Sequence, residues 1–223
     1  MTAIRGDHEV EGEIGSELKW ELGFTAEEIG VKVHAGLVTL TGTVGSYAAK
    51  MAAQEAALRV RGVTDVANEL LVRLTPPNER TDAEIVRAVR SALEWDVLVP
   101  DDRITTTVCD GLVTLLGSVD SLATRNEAES AVRRLAGIRG VNNQIEVLPP
   151  TIEPRDLQLK IVEALARRAI READRIGVAV HEGRVTLSGE VQSWDEKRAI
   201  IGLVGHAPGV RVVSDHLAIK SRL

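Results

Sequence analysis

The stretch HAGLVTLTG at residues 34–42 recurs twice more in the chain, as CDGLVTLLG at residues 109–117 and as HEGRVTLSG at residues 181–189. Around each copy, β-branched and polar residues alternate on both sides of a glycine, and this alternation predicts a β-hairpin. The first glycine of each copy can supply the positive φ that a tight turn requires. The second can supply a bulge or a sharp exit from the strand. The three copies predict a folding unit that is built three times.

The repetition extends on both sides of the hairpin. Upstream, apolar residues recur at intervals of four, as at Ile85, Val89 and Leu93, and predict one amphipathic helix in each unit. Downstream, a serine stands where a helix N-cap belongs; the three serines are Ser46, Ser121 and Ser193. A second helical segment follows, and we expect a glycine to cap its C-terminus; these glycines are Gly62, Gly137 and Gly209. A short strand then closes each unit.

Each unit therefore has the order helix, strand, strand, helix, strand, or αββαβ. The two hairpin strands must be antiparallel, whereas the third strand returns through a helical crossover and can lie parallel to a neighbour. We predict an α+β fold of three tandem αββαβ units, each a three-stranded mixed sheet with two helices on one face. The predicted units span residues 1–74, 78–149 and 153–223.

The composition is typical of a globular protein, since 44% of the 223 residues are hydrophobic and 27% are charged. Aromatic residues make up only 2%, so the cores must consist of Val, Ile, Leu and Ala. The single cysteine excludes an intramolecular disulfide framework. No segment approaches the roughly 20 apolar residues of a membrane-spanning helix. Acidic residues stand where a secretory leader has a basic flank, so we expect a cytoplasmic location, or a periplasmic one only if a leader has been removed.

The motifs of the common catalytic sites, such as G-x-S-x-G, the P-loop, H-E-x-x-H and C-x-x-C, do not occur in the sequence. We therefore predict a protein that is not an enzyme and that has no cofactor. One metal hypothesis arises at the hairpin, where His34, Cys109 and His181 occupy the same repeat position and all three residue types bind zinc or copper. These side chains could converge if the units packed around a pseudo-threefold axis. The alternative is that they are polar residues at exposed hairpin ends.

The third unit differs from the first two in charge, because it is basic whereas they are acidic. Its first helix carries Lys160, Arg167, Arg168 and Arg171 beside an apolar stripe. A basic amphipathic helix can lie in the headgroup region of an anionic membrane. The alternative is a core helix with a solvated charged face. Nucleic acid is not an expected partner, since the chain is acidic overall and no basic surface is interleaved with aromatic residues.

The three tryptophans are the remaining candidates. Trp20 and Trp95 occupy matching positions at the end of the first helix, where we expect the indole to cap the core. Anchoring in a bilayer interface is the alternative. Trp194 follows the N-cap serine of the third unit and lies close to Lys197 in sequence, and we predict that both residues contact lipid.

The hairpin and the closing strand together resemble the BON (bacterial OsmY and nodulation) domain. Its hallmark is a hairpin that reads V-x-V-x-x-G-x-V-x-L-x-G-x-V, followed by G-V-x-x-V-x-N-x-L. The chain matches this pattern as VKVHAGLVTLTGTV with GVTDVANEL, as TTVCDGLVTLLGSV with GIRGVNNQI, and as VAVHEGRVTLSGEV with GVRVVSDHL. Departures from the pattern include Thr106 and Ile138 in place of valine, and Asp215 where Asn68 and Asn143 stand.

The resemblance implies a bacterial protein that is not an enzyme, that is tied to envelope or osmotic stress and that binds phospholipid surfaces. We expect peripheral association with anionic phospholipid, mainly through the third unit. A cytoplasmic sensor of a small ligand or of potassium is one alternative, because some less similar BON proteins bind potassium and backbone carbonyls near the turn glycines suit a hard cation. A scaffold for protein partners is another, since repeats multiply weak contacts.

Overall fold

The structure is a computed structural model, and it describes residues 6–23, 28–76, 78–149, 152–167 and 176–219. Three αββαβ units follow one another along the chain, as predicted from the repeat. Each unit has its own sheet and its own hydrophobic core.

The bounds of the elements follow the repeat closely. Unit one contains α1 (Asp7–Leu22), β1 (Ile29–His34), β2 (Leu37–Val44), α2 (Tyr47–Arg59) and a third strand in two pieces, β3 (Asp65–Asn68) and β4 (Leu71–Val72). Unit two contains α3 (Asp82–Trp95), β5 (Ile104–Cys109), β6 (Leu112–Val119), α4 (Leu122–Val132) and β7 (Gly140–Val147). Unit three contains α5 (Pro154–Arg167), β8 (Gly177–His181), β9 (Arg184–Val191), α6 (Trp194–Gly205) and β10 (Val212–Ile219).

The second hairpin strand is the middle strand of every sheet. It pairs antiparallel with the first strand and parallel with the third, so each sheet is mixed. In unit one the third strand is interrupted, but its register is unchanged across the break, with Leu40 opposite Asn68 and Thr43 opposite Leu71. The mixed topology predicted for the three units is therefore confirmed.

The hairpin turns are two residues long, and both residues have positive φ, as in a type I′ turn. In unit one, φ is 49° at Ala35 and 84° at Gly36, and the other two units repeat this geometry. The second glycine of the motif, Gly42, lies within β2 with a φ of 116°, and a side chain there would strike the carbonyl oxygen of Glu28. The predicted role of the first glycine is confirmed, and the residue before it shares the left-handed conformation.

The predicted N-caps are confirmed, but the predicted C-caps are wrong. Each cap serine accepts a hydrogen bond from a backbone N–H three residues later, at 3.0 to 3.2 Å. The middle helices end before the glycines that were expected to cap them; α2 ends at Arg59, whereas Gly62 lies in the turn that follows, with a φ of 94°. A side chain on Gly36 would lie 2.8 Å from the carbonyl oxygen of Gly62. Gly62 and Gly36 therefore let the chain after the helix approach the hairpin turn closely.

Each core lies between the sheet and the two helices that cover one of its faces. In unit two, Ile85, Val89 and Leu93 of α3 pack in the same cluster as Val113 and Leu115 of β6, and all five are buried. The strand residues between them are turned to the other face of the sheet, because side chains alternate along a strand. This leaves the outer sheet face and the helix ends accessible to partners.

The three units contact one another through their middle helices. Helix α6 contacts both α2 and α4. The guanidinium of Arg133, just after α4, lies 3.4 Å from the carboxylate of Glu55 in α2. Tyr47, the first residue of α2, packs against the core of unit two. The units therefore pack against one another, and side chains at these contacts are covered by a neighbouring unit.

Candidate functional site

The candidate metal ligands His34, Cys109 and His181 lie at the ends of the first hairpin strands, and all three are exposed. Within the part of the chain that the structure describes, no three His, Cys, Asp or Glu side chains form a group that could hold a metal ion. The convergence of these three residues is therefore not found. The physical reason is that their strands place them on the outer faces of the sheets, whereas the units meet through helices on the opposite faces.

The hairpin turns are tied to the rest of each unit by hydrogen bonds. The carbonyl oxygen of every turn glycine accepts a bond of 2.8 to 2.9 Å from a backbone N–H that precedes the third strand. The pairs are Gly36 with Thr64, Gly111 with Arg139, and Gly183 with Arg211. In unit two, Asp82 at the start of α3 also accepts bonds of 2.9 Å from both turn residues. The carbonyl groups that we considered as potassium ligands thus already take part in the fold.

The first helix of unit three is amphipathic, as predicted. Leu157, Ile161 and Leu165 are buried in the core of the unit, so this apolar stripe is not free to enter a membrane. Lys160 is exposed, and so is Leu159. Helix α5 ends at Arg167, and the remaining predicted contacts, Arg168 and Arg171, lie outside the described residues. Only the outer face of this helix can contact a partner.

Trp194 and Lys197 have partners within the protein. The Trp194 indole donates a hydrogen bond of 3.1 Å from Nε1 to the carbonyl oxygen of Val63 in unit one. Lys197 Nζ lies 4.9 Å from the centre of the indole ring and 2.7 Å from a carboxylate oxygen of Asp215. It also donates to the carbonyl oxygen of Leu217 at 2.9 Å. Both side chains therefore have structural partners within the protein, and the lipid contact predicted for them stays a prediction.

Trp20 and Trp95 are the residues whose placement differs most from expectation. We expected both indoles to cap the core, but their exposed fractions are 88% and 84%. Val97 and Leu98, which follow Trp95 at the end of α3, are also exposed, at 97% and 70%. The expectation is wrong because the buried stripe of each first helix ends at Leu18 and Leu93, and the tryptophan two residues further on points to another side of the helix.

The resolved pKa shifts arise from structural hydrogen bonds and burial. The backbone N–H of Val33 donates to Glu11 and lowers the pKa of its carboxyl group. The hydrogen bonds from Arg103 lower the pKa of Asp120. Burial between units one and two raises the pKa of the Tyr47 hydroxyl. Each of these three pKa shifts has its cause in a contact of the fold.

The described helices include none that is both long enough and apolar enough to cross a membrane. Among the described residues, the most exposed large apolar side chains are Val97, Trp20, Trp95 and Leu98. The first helix of unit three carries basic residues in its sequence. Exposed apolar side chains that lie together are typical of an interaction surface.

The BON domain model matches residues 6–73, 81–149 and 155–221, and the chain belongs to the BON domain family. Osmotically-inducible protein Y of Escherichia coli (strain K12) is 32% identical over 123 residues. That match covers 53% of this chain and 61% of the relative, so it spans less than two thirds of the relative's length.

Two solved structures of CdsD, a structural protein of the Type III secretion system of Chlamydia trachomatis, also align with the chain. The first alignment covers 94% of this chain and 91% of that structure, and the second covers 99% and 100%. The sequence identity is 12% and the TM-score is 0.28 in both cases, so this likeness carries no argument about the protein.

Proposed function

We propose that this protein is an osmotic-stress-related, non-enzymatic protein that associates peripherally with anionic phospholipid surfaces. The similarity to Osmotically-inducible protein Y supports the link to osmotic stress. The observation that carries the lipid part is the exposure of Trp20 and Trp95 at matching positions of two units. The proposed contact therefore includes units one and two, and not the third unit alone.

An indole ring is suited to the boundary between lipid and water. Its ring is apolar, whereas its N–H can donate a hydrogen bond to water or to a headgroup, and tryptophan is enriched at this boundary in membrane proteins. At the end of α3, Val97 and Leu98 extend the apolar surface around Trp95. Insertion of these side chains removes apolar surface from water, which stabilises the bound state by about 25 cal/mol per Å².

In this proposal the preference for anionic lipid comes from unit three. Acidic residues near the two tryptophans, such as Glu21, Glu94 and Asp96, repel anionic headgroups. The position that matches the tryptophans in unit three is Arg167, and Arg168 and Arg171 follow it in the sequence. A basic residue near an anionic surface contributes about 1 kcal/mol, so this run offsets the acidic residues of the other units.

Co-sedimentation of the full chain with vesicles tests the proposal. We expect binding to vesicles that contain phosphatidylglycerol at low salt, and weak binding to vesicles of phosphatidylcholine alone. Trp20→Ala with Trp95→Ala should abolish most of the binding. A matched control replaces Leu71 and Leu148, two exposed leucines elsewhere on the chain, by alanine and should bind like the parent protein.

Charge reversal tests the role of unit three. The triple substitution Arg167→Glu, Arg168→Glu and Arg171→Glu should remove the preference for anionic vesicles and the dependence on salt. The proposal is contradicted if the parent protein stays in the supernatant with anionic vesicles at low salt, or if the charge-reversed protein binds as the parent does. Calorimetric titration with potassium and with sodium distinguishes lipid binding from the potassium-sensor alternative. A potassium sensor should release or absorb heat selectively with potassium, whereas a lipid-binding protein should not.

A further inference from the structure

In all three units, the residue directly after the N-cap serine contacts another unit. This residue is Tyr47 in α2, Leu122 in α4 and Trp194 in α6. Each of these side chains reaches into a neighbouring unit, and the neighbour is a different unit in each case. Together, these three contacts determine how the units are arranged.

Tyr47 reaches from unit one into unit two. It is half-buried against the core of unit two, and it lies close to Glu129 and Arg133 at the C-terminal end of α4. The backbone of Val141 forms a hydrogen bond with the hydroxyl group of Tyr47. The N-terminus of α2 therefore meets the C-terminal end of the next middle helix.

Leu122 makes the corresponding contact from unit two to unit three. A Cβ atom placed on Gly205 would lie 3.5 Å from Cδ2 of Leu122, so the backbone at the end of α6 passes directly beside this leucine. Gly205 occupies the repeat position that Arg133 occupies in unit two. The N-terminus of α4 therefore meets the end of α6 in the same way as α2 meets α4.

Trp194 closes the series, because it reaches from unit three back to unit one. Its Nε1 donates to the carbonyl oxygen of Val63, which lies in the turn after α2. Three contacts of one kind, from one to two, from two to three and from three to one, form a closed ring. Units joined in this way would be related by an approximate threefold rotation, and Trp194 is the residue that closes the ring.

Rotation about a threefold axis leaves the height along that axis unchanged, so matching residues of the three units lie on the same side of the ring. This applies to Trp20 and Trp95, and their counterpart in unit three is Arg167. In this arrangement the two exposed indoles are held at one height along the axis.

We propose that closure of the ring by Trp194 makes Trp20 and Trp95 act as one bivalent contact with a lipid bilayer. This inference rests on the proposed function. The second indole then inserts from a position fixed by the ring, and two linked contacts can exceed either one by 10² to 10⁴-fold in overall affinity. A chain with an opened ring loses this gain although both tryptophans are still present.

Two substitutions open the ring at different contacts. Trp194→Ala removes the indole and its hydrogen bond to Val63. Gly205→Trp adds a bulky side chain directly beside Leu122, where only a Cβ atom fits in ordinary contact, and should force α6 away from α4. Gly202→Ala is the matched control, because nothing lies within 4 Å of a Cβ at this position of α6. Thermal unfolding of each variant checks that the units, which have separate cores, remain folded.

Two measurements are made on every variant. Energy transfer between dyes on cysteines introduced at Lys32 and Ser188, in a Cys109→Ser background, reports the distance between units one and three. Vesicle titration reports the affinity for bilayers that contain phosphatidylglycerol. We expect both ring variants to lose energy transfer and to bind at least about tenfold more weakly, whereas Gly202→Ala should match the parent in both measurements.

The inference is overturned if energy transfer falls while the affinity is unchanged, and also if neither ring variant changes the distance between the dyes. The first of these results leaves the proposed function intact, because the protein still binds lipid. Failure of the proposed function gives a different result, since the parent protein itself then does not bind the vesicles.

Discussion

Lys197 and Asp215 form an ion pair of 2.7 Å between α6 and β10, at a position where the other two units use an asparagine. In unit two, Asn143 donates from Nδ2 to a carbonyl oxygen of α4 and accepts from the N–H of Ile145. Asp215 keeps the second of these bonds, with the N–H of Leu217 at 2.9 Å, but it has no N–H to donate. The lysine ammonium replaces the missing link between helix and strand. Aspartate in place of the family's asparagine therefore keeps the link between helix and strand, but an ion pair replaces the amide hydrogen bond.

This pairing predicts a difference between two substitutions of Asp215. Asp215→Ala should lower the free energy of unfolding by about 2 to 3 kcal/mol, because the Leu217 N–H loses its acceptor and the largely buried Lys197 ammonium loses its carboxylate partner. Asp215→Asn restores the family residue and should cost less than about 1 kcal/mol. Urea unfolding measures both values, and equal losses would contradict the assigned roles.

Thr106 predicts a stabilising substitution. Its hydroxyl oxygen is buried without a hydrogen-bond partner, whereas Val31 and Val178 stand at the same position in the other units. Thr106→Val should raise the free energy of unfolding by about 1 kcal/mol, since it removes a desolvated polar group. Thr107→Val on the exposed face of the same strand is the control and should change stability by less than about 0.5 kcal/mol. The explanation is wrong if both variants gain stability equally.

The second glycine of the repeated motif predicts a large loss. Gly117 has a φ of 134°, and a Cβ there would strike the carbonyl oxygen of Arg103. Gly117→Ala should therefore cost more than about 2 kcal/mol. Gly12→Ala in the interior of α1, where nothing lies within 4 Å, should instead gain about 0.5 to 1 kcal/mol. Denaturant unfolding compares the two, and a loss at both positions would contradict this account.

The capping box of α3 predicts a dependence on pH. Hydrogen bonds from the backbone and the hydroxyl of Thr81 lower the pKa of Glu84. A carboxyl group whose pKa is lower in the folded state stabilises that state above its unfolded pKa, and the contribution is lost as the pH falls through the folded pKa. The parent protein should thus melt at a higher temperature than Glu84→Gln at neutral pH, and the difference should shrink at about pH 3. A difference of the same size at both pH values would exclude this cause.

The local structure of each unit could be predicted because its determinants are local. A glycine between β-branched residues predicts a hairpin, and a serine before a helical segment predicts an N-cap; the structure has both in all three units. The prediction that glycines cap the C-termini of the middle helices was wrong. The conformation of these glycines depends on the hairpin turn that they approach, as Gly62 approaches Gly36. That approach brings together residues far apart in the sequence.

The placement of Trp194 could not be predicted from its own unit, because it depends on how the units meet. Periodicity indicates which side of a helix faces its own sheet, but it does not indicate which side faces another unit. Trp194 was expected at a membrane and lies at a contact between units. Trp20 was expected to cap the core and lies in solvent, because it lies on another side of α1 from the buried stripe. A usable signal was present, since Tyr47, Leu122 and Trp194 are large side chains at one repeat position directly after a cap.

Closure of the ring also bears on the order of the units along the chain. The contact from unit three to unit one is of the same kind as the two contacts between consecutive units, although no linker joins those two units. The covalent order therefore adds proximity but does not define the partners, because Tyr47, Leu122 and Trp194 each identify one neighbour. A circular permutant that starts with unit two and ends with unit one should assemble in the same arrangement. The order of the units along the chain is therefore not what determines how they pack.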